Sequence, residues 1–538
     1  MSQPDPRSGF CPETKTFHSL RPPIPLPPEN TRLSATSYAL SLQSTSSWTD
    51  STAIIDSVTG HRISYSQFRL HVSALAFSLR TETGISRNDV VLVLTPNSNR
   101  VPILYFALLS LGAVICPTNP LSTPSEISRQ IQLSKPVLAF ATSATTRKLH
   151  ALRTVLVDSP EFDSMMNRKS SNIEHAEIQV SQNDVAAILF SSGTTGEMKC
   201  VALTHRNFIA STANFYYQRA ERSSPVVGLY AVPYFHIFGF HYMMKSVALG
   251  EAVVVMERFD LGRMLRAVEE YKVTHLAVVP PIVVAMVKSD LTEKFDLGSL
   301  EAVGSGAAAL RLDSMKAFTK KFPWVFVYQG YGMTETTGAA FRAVSPDEYI
   351  KWGSVGKLLG NCEAKIVDPN TAIALPPGKQ GELWFKGPTV MKGYVNDPKA
   401  NSETLVSDGW LRTGDICYID EEGFLFVVDR LKELIKYKGY QVAPADLENS
   451  LLSHPDIVDA AVIPYPDEEA GQVPLAFVVR HPQSNLDERQ IIEFVGKQVA
   501  PYKKVRRVVF INSIPKSAAG KILRKELKKI SLPLESKL

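Results

Sequence analysis

Ala186-Ala187-Ile188-Leu189-Phe190 runs directly into Ser191-Ser192-Gly193-Thr194-Thr195-Gly196-Glu197-Met198-Lys199. The apolar half reads as a buried strand. In the polar half, small residues let the backbone approach an anion closely. Their N–H groups and hydroxyls can donate to phosphate oxygens, and Lys199 adds a positive charge. The GxxxxGK[ST] spacing of a Walker A loop is absent. Taken alone, the stretch also reads as a Ser/Gly-rich turn.

Outward from this point, residues 50–340 repeat one pattern. Short β-branched runs at 90–94, 137–140, 186–190, 252–256 and 325–328 alternate with helix-length amphipathic segments. That alternation predicts βα units and largely parallel sheets. From 362 to 429, strand-like pieces at 364–367, 382–385 and 424–428 are separated by Gly, Pro and Asp turns, which predicts a β-rich subdomain. After Asp429-Arg430 the charge rises. Residues 432–530 read as a compact α+β unit, with helices at 444–453, 487–498 and 521–530 and strands near 457–463 and 475–480. Residues 1–30 are rich in Pro and Ser and predict an extended arm. The expected fold is α/β: a large N-terminal domain over 31–430, including the β-rich part, and a small mobile C-terminal domain over 433–538.

The chain has 538 residues, 44% hydrophobic and 21% charged, with a formal net charge of +5. These values exclude wholesale disorder, and so weak a charge gives no reason to expect a nucleic-acid partner. The five cysteines, Cys11, Cys116, Cys200, Cys362 and Cys417, include no CxxC pair and fit a reducing compartment. The longest apolar segment, 275–287, contains Pro280 and Pro281 and is too short to span a membrane. The polar N-terminus has no signal-peptide core. The last three residues are Ser536-Lys537-Leu538, the tripeptide read by the peroxisomal import receptor, so the expected location is the peroxisome.

Four further stretches carry candidate chemistry. Gln329-Gly330-Tyr331-Gly332-Met333-Thr334-Glu335 places a hydroxyl and a carboxylate where they could meet Mg²⁺ bound to phosphate, beside a flat face for a base. Trp410-Leu411-Arg412-Thr413-Gly414-Asp415 offers an Asp able to accept from both ribose hydroxyls. Asp429-Arg430-Leu431-Lys432-Glu433-Leu434-Ile435-Lys436-Tyr437-Lys438-Gly439-Tyr440-Gln441 lies at the predicted boundary. Pro515-Lys516-Ser517-Ala518-Ala519-Gly520-Lys521 puts a lysine after a glycine, free to reach an anionic centre. Each alone also reads as a turn or a solvated basic face.

In order and spacing, these stretches resemble the adenylate-forming superfamily of acyl-CoA synthetases, adenylation domains and beetle luciferases. The resemblance runs from about residue 50 to 530 and is strongest to plant 4-coumarate–CoA ligases and their peroxisomal relatives. It implies an acid–CoA ligase that forms an acyl-adenylate from ATP and then a thioester, using ATP, Mg²⁺ and coenzyme A. Ser191, Ser192, Gly193, Thr194, Thr195 and Lys199 would cradle the β- and γ-phosphates. Thr334 would touch the α-phosphate and Glu335 would hold the metal. Gly306 and Ala307 would line the adenine with Gln329, Gly330 and Tyr331, while Asp415 and Arg430 grip the ribose. Lys521 would bridge the carboxylate and α-phosphate, and His236 would close over the carboxylate site. Lys432 is the implied hinge, whose rotation would present Lys436, Lys438, Gly439 and Gln441 for the thioester step. Arg258 stands where relatives place a coenzyme A-contacting lysine. Phe238, Tyr242, Ala307 and Gly330 would form the acyl pocket.

The chain departs from the plant ligases in places. The glycine loop continues Glu197-Met198-Lys199-Cys200 instead of Leu-Pro-Lys-Gly, and Gly381-Glu382-Leu383-Trp384-Phe385-Lys386-Gly387 lacks the family's cysteine. Phe238 replaces a common Tyr, and Tyr242 a small polar residue. The expected substrate is a hydroxycinnamate such as 4-coumarate. The alternative is a fatty or cyclopentenone oxylipin acid. A luciferase-type monooxygenase and a carrier-loading adenylation domain are the competitors. Phe235-His236-Ile237-Phe238 argues against the first, and the absence of a carrier segment after 530 against the second.

Overall fold

The computed structural model describes residues 3–44, 50–150, 152–168, 178–191, 198–437, 440–467, 469–517 and 520–535. The βα alternation becomes two sheets in one compact unit, formed by 19–363 and 385–411. The first sheet has seven strands. Parallel strands Val185–Ser191, Val114–Pro117, Val90–Leu94, Leu138–Ala141 and Thr154–Leu156 are extended at one edge by antiparallel Lys199–Thr204 and Gly393–Tyr394. The second has nine strands. Its parallel centre is Phe326–Met333, Ala302–Ser305, His275–Val278, Val227–Tyr230, Ala252–Val255 and Thr52–Asp56. Residues 91–94 are buried one after another, because helices cover both faces of a parallel strand and leave no polar side.

The strand expected at 325–328 continues to Met333. Gly330-Tyr331-Gly332 reads as a loop by composition, yet it pairs antiparallel with Gly338–Arg342. Gly332 has to be glycine there, since a Cβ would lie 1.6 Å from the carbonyl oxygen of Gly338. Thr334 and Glu335 therefore sit in a 3₁₀ turn at a strand end rather than in an open loop.

The other compact unit gathers residues 1–18, 364–384 and 412–538, so the contacts on either side of 430 fall within one unit. Pairing is the reason. Strand Leu425–Arg430 runs antiparallel to 415–419. The segment 435–535 adds a five-stranded sheet with helices Pro444–Leu452, Glu488–Gly496 and Arg524–Glu535. The N-terminal arm is not extended throughout. Phe10–Cys11 and Thr16–His18 form a β-hairpin on the edge of the sheet that includes 364–367. Its proline-rich surroundings hide the hairpin, but Phe10 and Phe17 pack 4.9 Å apart and Phe17 is buried.

Helix Pro444–Leu452 begins after Ala443, which has no side chain able to cap it. The missing acceptor comes from Asp429, whose Oδ2 accepts from the Ala445 N–H at 2.9 Å while Oδ1 accepts from the Arg430 N–H at 2.7 Å. Arg524, nearly buried, ties the same region together through Glu448 at 2.7 Å and Glu433 at 3.3 Å. All five cysteines are buried and no disulfide joins them. Among the described residues, no helix is long and apolar enough to cross a membrane.

Candidate active site

Ser191 and Lys199 stand opposite each other, in register, where the two strands flank the glycine-rich stretch. Ser192, Gly193, Thr194 and Thr195 lie outside the described residues. Ser191 donates from Oγ to Glu335 Oε1 at 3.1 Å, and the Tyr394 hydroxyl donates to the same oxygen at 3.0 Å. Glu335 is only 4% exposed, so these two bonds offset part of the cost of burying it. Lys199 Nζ sits 4.5 Å from the centre of the Tyr394 ring. Burial and the neighbouring Glu335 raise the Tyr394 phenol far above its ordinary value, so it remains a donor. The turn is anchored further by the Met391 N–H, which donates to the Glu335 carbonyl. Tyr394 is the residue that sequence reasoning missed; its only signal is an aromatic after Gly393 in an otherwise featureless stretch.

A lone carboxylate with hydroxyls around it suits a hard cation. Among the described residues no group of three or more His, Cys, Asp or Glu could hold a metal ion.

Gly306 and Ala307 follow strand Ala302–Ser305, at the carboxyl end of a parallel strand where α/β folds bind ligands. Ala307 has φ +69, unusual for a residue with a side chain. Gln329 is buried and turned inward: its Oε1 accepts from the Leu310 N–H at 2.5 Å, so it fastens the 306–310 loop. Gly330 and Tyr331 lie on the adjacent strand, with the Tyr331 ring 6.3 Å from Phe341.

His236 caps helix Ile237–Leu249, its Nδ1 accepting from the Phe238 N–H at 3.3 Å. Burial lowers its pKa, so the ring is neutral at pH 7 and its proton is left on Nε2. Phe238 borders Gly306, where a Cβ would come within 3.2 Å of its ring, and meets Tyr242 edge-on at 4.9 Å. Behind Tyr242, Lys245 pairs with buried Glu251 at 2.6 Å and lies 5.4 Å from the Tyr242 ring. Arg258 is exposed on the loop after strand Ala252–Val255.

The remaining candidates belong to the other unit. Asp415 and Arg430 are cross-strand partners, with Nε and Oδ1 3.5 Å apart and Asp415 7% exposed. Gly414, at φ +71, makes the bend that aims Asp415. Lys521 is half-buried on the loop before helix Arg524–Glu535, not within a helix as the 521–530 expectation had it. The glycine before it, Gly520, has φ +76, outside the helical range. Burial first, then the charge of Arg430, draws the Lys521 pKa down to about 8 against the opposite pull of Glu433 and Asp415. Lys521 thus shares one electrostatic neighbourhood with the Asp415–Arg430 pair. Lys432 and Lys436 are exposed. Gln441 pairs with Lys436 across a hairpin whose tip, Lys438 and Gly439, lies outside the described residues, as does Ser536-Lys537-Leu538.

Comparison with known proteins identifies the family. The AMP-binding enzyme family matches residues 43–395, and the AMP-binding enzyme C-terminal domain matches 446–521. The chain is 52% identical to 4-coumarate–CoA ligase-like 9 of Arabidopsis thaliana, over 98% of this chain and 97% of that protein. It is 45% identical to peroxisomal OPC-8:0-CoA ligase 1 of the same plant, over 99% of both. ATP-bound MatB from Rhodopseudomonas palustris superposes with a TM-score of 0.84 at 25% identity, covering 93% of this chain and 99% of that one. The o-succinylbenzoate CoA synthetase MenE of Bacillus subtilis, in complex with its acyl-adenylate, gives 0.79 at 27%, covering 91% and 98%. On these matches the chain belongs to the AMP-binding, adenylate-forming enzymes, within their CoA ligase-like branch.

Proposed function

We propose that the protein is an ATP-dependent acid–CoA ligase. A carboxylate oxygen attacks the α-phosphorus of ATP, the bond to the β-phosphate oxygen breaks, and pyrophosphate leaves. The thiolate of coenzyme A then attacks the acyl carbonyl, and AMP departs with the electron pair of the C–O bond. A carboxylate is a poor acyl donor, and the mixed anhydride gives it a good leaving group. The protein has mainly to position groups and stabilise phosphate charge.

The observation that carries this reading is Lys521, half-buried within reach of the field of Asp415 and Arg430. A cation so placed beside a ribose-gripping pair would serve adenylate formation. Ser191, Lys199 and the 192–195 stretch would hold the β- and γ-phosphates, with Thr334 at the α-phosphate. Glu335 would hold Mg²⁺, which supplies charge neutralisation at the phosphates when bound. Gly306, Ala307, Gly330 and Tyr331 would line the base. His236, neutral with an Nε2 donor, would orient the carboxylate. Rotation about Lys432 would then withdraw Lys521 and bring Lys436, Lys438, Gly439 and Gln441 into use, with Arg258 attracting coenzyme A phosphates. The tail Ser536-Lys537-Leu538 supports a peroxisomal address.

For the acid, a fatty or oxylipin-type substrate now stands ahead of a hydroxycinnamate. Phe238 has no hydroxyl for a phenol, and its ring closes against Gly306 and Tyr242. A relative named as an OPC-8:0-CoA ligase spans the whole chain. Tyr242 keeps 4-coumarate as the second reading, since its hydroxyl could meet a phenol. Purified protein with ATP, Mg²⁺, coenzyme A and pooled cinnamic, benzoic, medium-chain and oxylipin acids should yield fatty or oxylipin thioesters by mass spectrometry. Coumaroyl thioester alone would reverse the ranking, and adenylate without thioester would refute the ligase reading.

A further inference from the structure

One face of the nine-stranded sheet carries glycines at 304 and 330; the Tyr328 ring fills the space at Gly304, 3.1 Å from where a Cβ would stand. Gly304 and Tyr328 are in register on adjacent parallel strands. Gly330, two residues beyond Tyr328, shares its face, and Arg342 is the antiparallel partner of Gly330, so it shares that face too. A Cβ on Gly330 would meet only the Phe341 carbonyl oxygen within 4 Å, at 3.5 Å, which leaves open space above it. Tyr242, Tyr328 and Arg342 lie close enough to perturb one another's charge, and desolvation dominates all three. Yet each keeps accessible surface. An interior recess beside Gly330 would account for groups that are desolvated but still reachable. Phe238 meets Tyr242 edge-on at 4.9 Å and borders Gly306.

Arg342 is unusual in this setting. Its Nη2 donates to the Asn214 carbonyl at 3.0 Å and to Gln218 Oε1 at 3.3 Å, and the guanidinium lies 4.0 Å over the Phe215 ring. No carboxylate pairs with it among the described residues, and its buried Nε has no hydrogen-bond partner. The nearby acid, Glu348, is taken by Arg21 at 2.7 Å. Burial lowers the Arg342 pKa to about 10, so it is still a cation at pH 7. A buried cation with an orphaned donor is costly to the free protein, and an incoming oxygen would repair it.

The geometry points to Arg342 as a specificity-determining residue that receives, at the far end of the acyl recess, a carbonyl or carboxylate oxygen on the tail of the acid. Tyr242 and Tyr328 lie near enough to Arg342 to feel its charge. The inference rests on the acid-activating reading above and names the class of acid: one oxygenated remote from the group that is activated. Plain hydrocarbon tails would leave Arg342 unsatisfied and be handled less well.

The test compares octanoic, decanoic and dodecanoic acids with their (ω−1)-oxo and ω-carboxy counterparts. The wild type should favour one oxygenated series in kcat/KM by at least about tenfold, and the series favoured tells ketone from carboxylate. Arg342→Met should collapse that ratio towards one, and Arg342→Lys should restore part of it for the ω-carboxy acids. A structural role alone would lower all acids together, and an unchanged ratio in a folded variant would overturn the proposal. Wild type that makes no thioester from any acid would sink the ligase reading instead. Calorimetric binding of the same acid pairs would then decide the question for Arg342: unequal Kd values that Arg342→Met equalises support it, and equal values overturn it.

Discussion

Lys521→Ala should cut ATP-dependent adenylate formation by about 10²–10³-fold, the usual loss when one preorganised donor to developing charge is removed. Thioester formation from a supplied acyl-adenylate should stay within about threefold if, as proposed, rotation about Lys432 has by then withdrawn Lys521. Pyrophosphate exchange reads the first step, and rapid-quench of acyl-adenylate with coenzyme A reads the second. Equal losses in both would show that Lys521 merely supports the fold. The pH dependence adds an independent arm. The Lys521 pKa is depressed to about 8, so the charged form is present below that value and lost as pH rises through it. Adenylation kcat/KM should therefore fall on the alkaline side near pH 8. Lys521→Arg, lower in absolute rate because its fork differs in shape, should lose that limb since guanidinium stays charged. A limb unmoved by the substitution would assign it to another group.

Glu335→Gln should lower the same half-reaction by about 10²-fold and raise the Mg²⁺ concentration needed for half-maximal rate. The amide keeps an oxygen to accept from Ser191 and Tyr394, so the buried turn should survive. Only the negative charge is removed. The melting temperature should accordingly change little while the Mg²⁺ titration shifts. A variant with a normal Mg²⁺ response would remove Glu335 from the metal's surroundings.

The parallel strands were legible because burial on both faces leaves short unbroken apolar runs, as at 90–94. Candidate residues quoted from local motifs include Glu335, in the turn just after strand Phe326–Met333, and Asp415, within strand Trp410–Ile419 beside the positive φ of Gly414. What stayed hidden depends on long-range pairing. Gly330-Tyr331-Gly332 looks like a loop until Gly338–Arg342 arrives to pair with it. Tyr394 lies 59 positions from Glu335, and nothing local announces their hydrogen bond. Gln329 carries a residue type suited to a base edge, but only packing reveals that its amide is spent on Leu310. Arg342 reads as one more basic residue at a strand end, because a missing counter-ion is a property of three dimensions.

Asp429 lies on one side of Lys432 and the helix it caps lies on the other. With Lys432 as the pivot, the lid cannot turn without taking the Ala445 amide away from that carboxylate. A cap of this kind contributes about 1 kcal/mol, which is roughly a fivefold population ratio. On the proposed pivot, the bond would tilt the resting lid toward one orientation by an amount that a single bound substrate can outweigh, a ballast rather than a lock. Amide exchange at Ala445 would register it: protection should drop when coenzyme A and adenylate shift the population, and constant protection would place the pivot elsewhere.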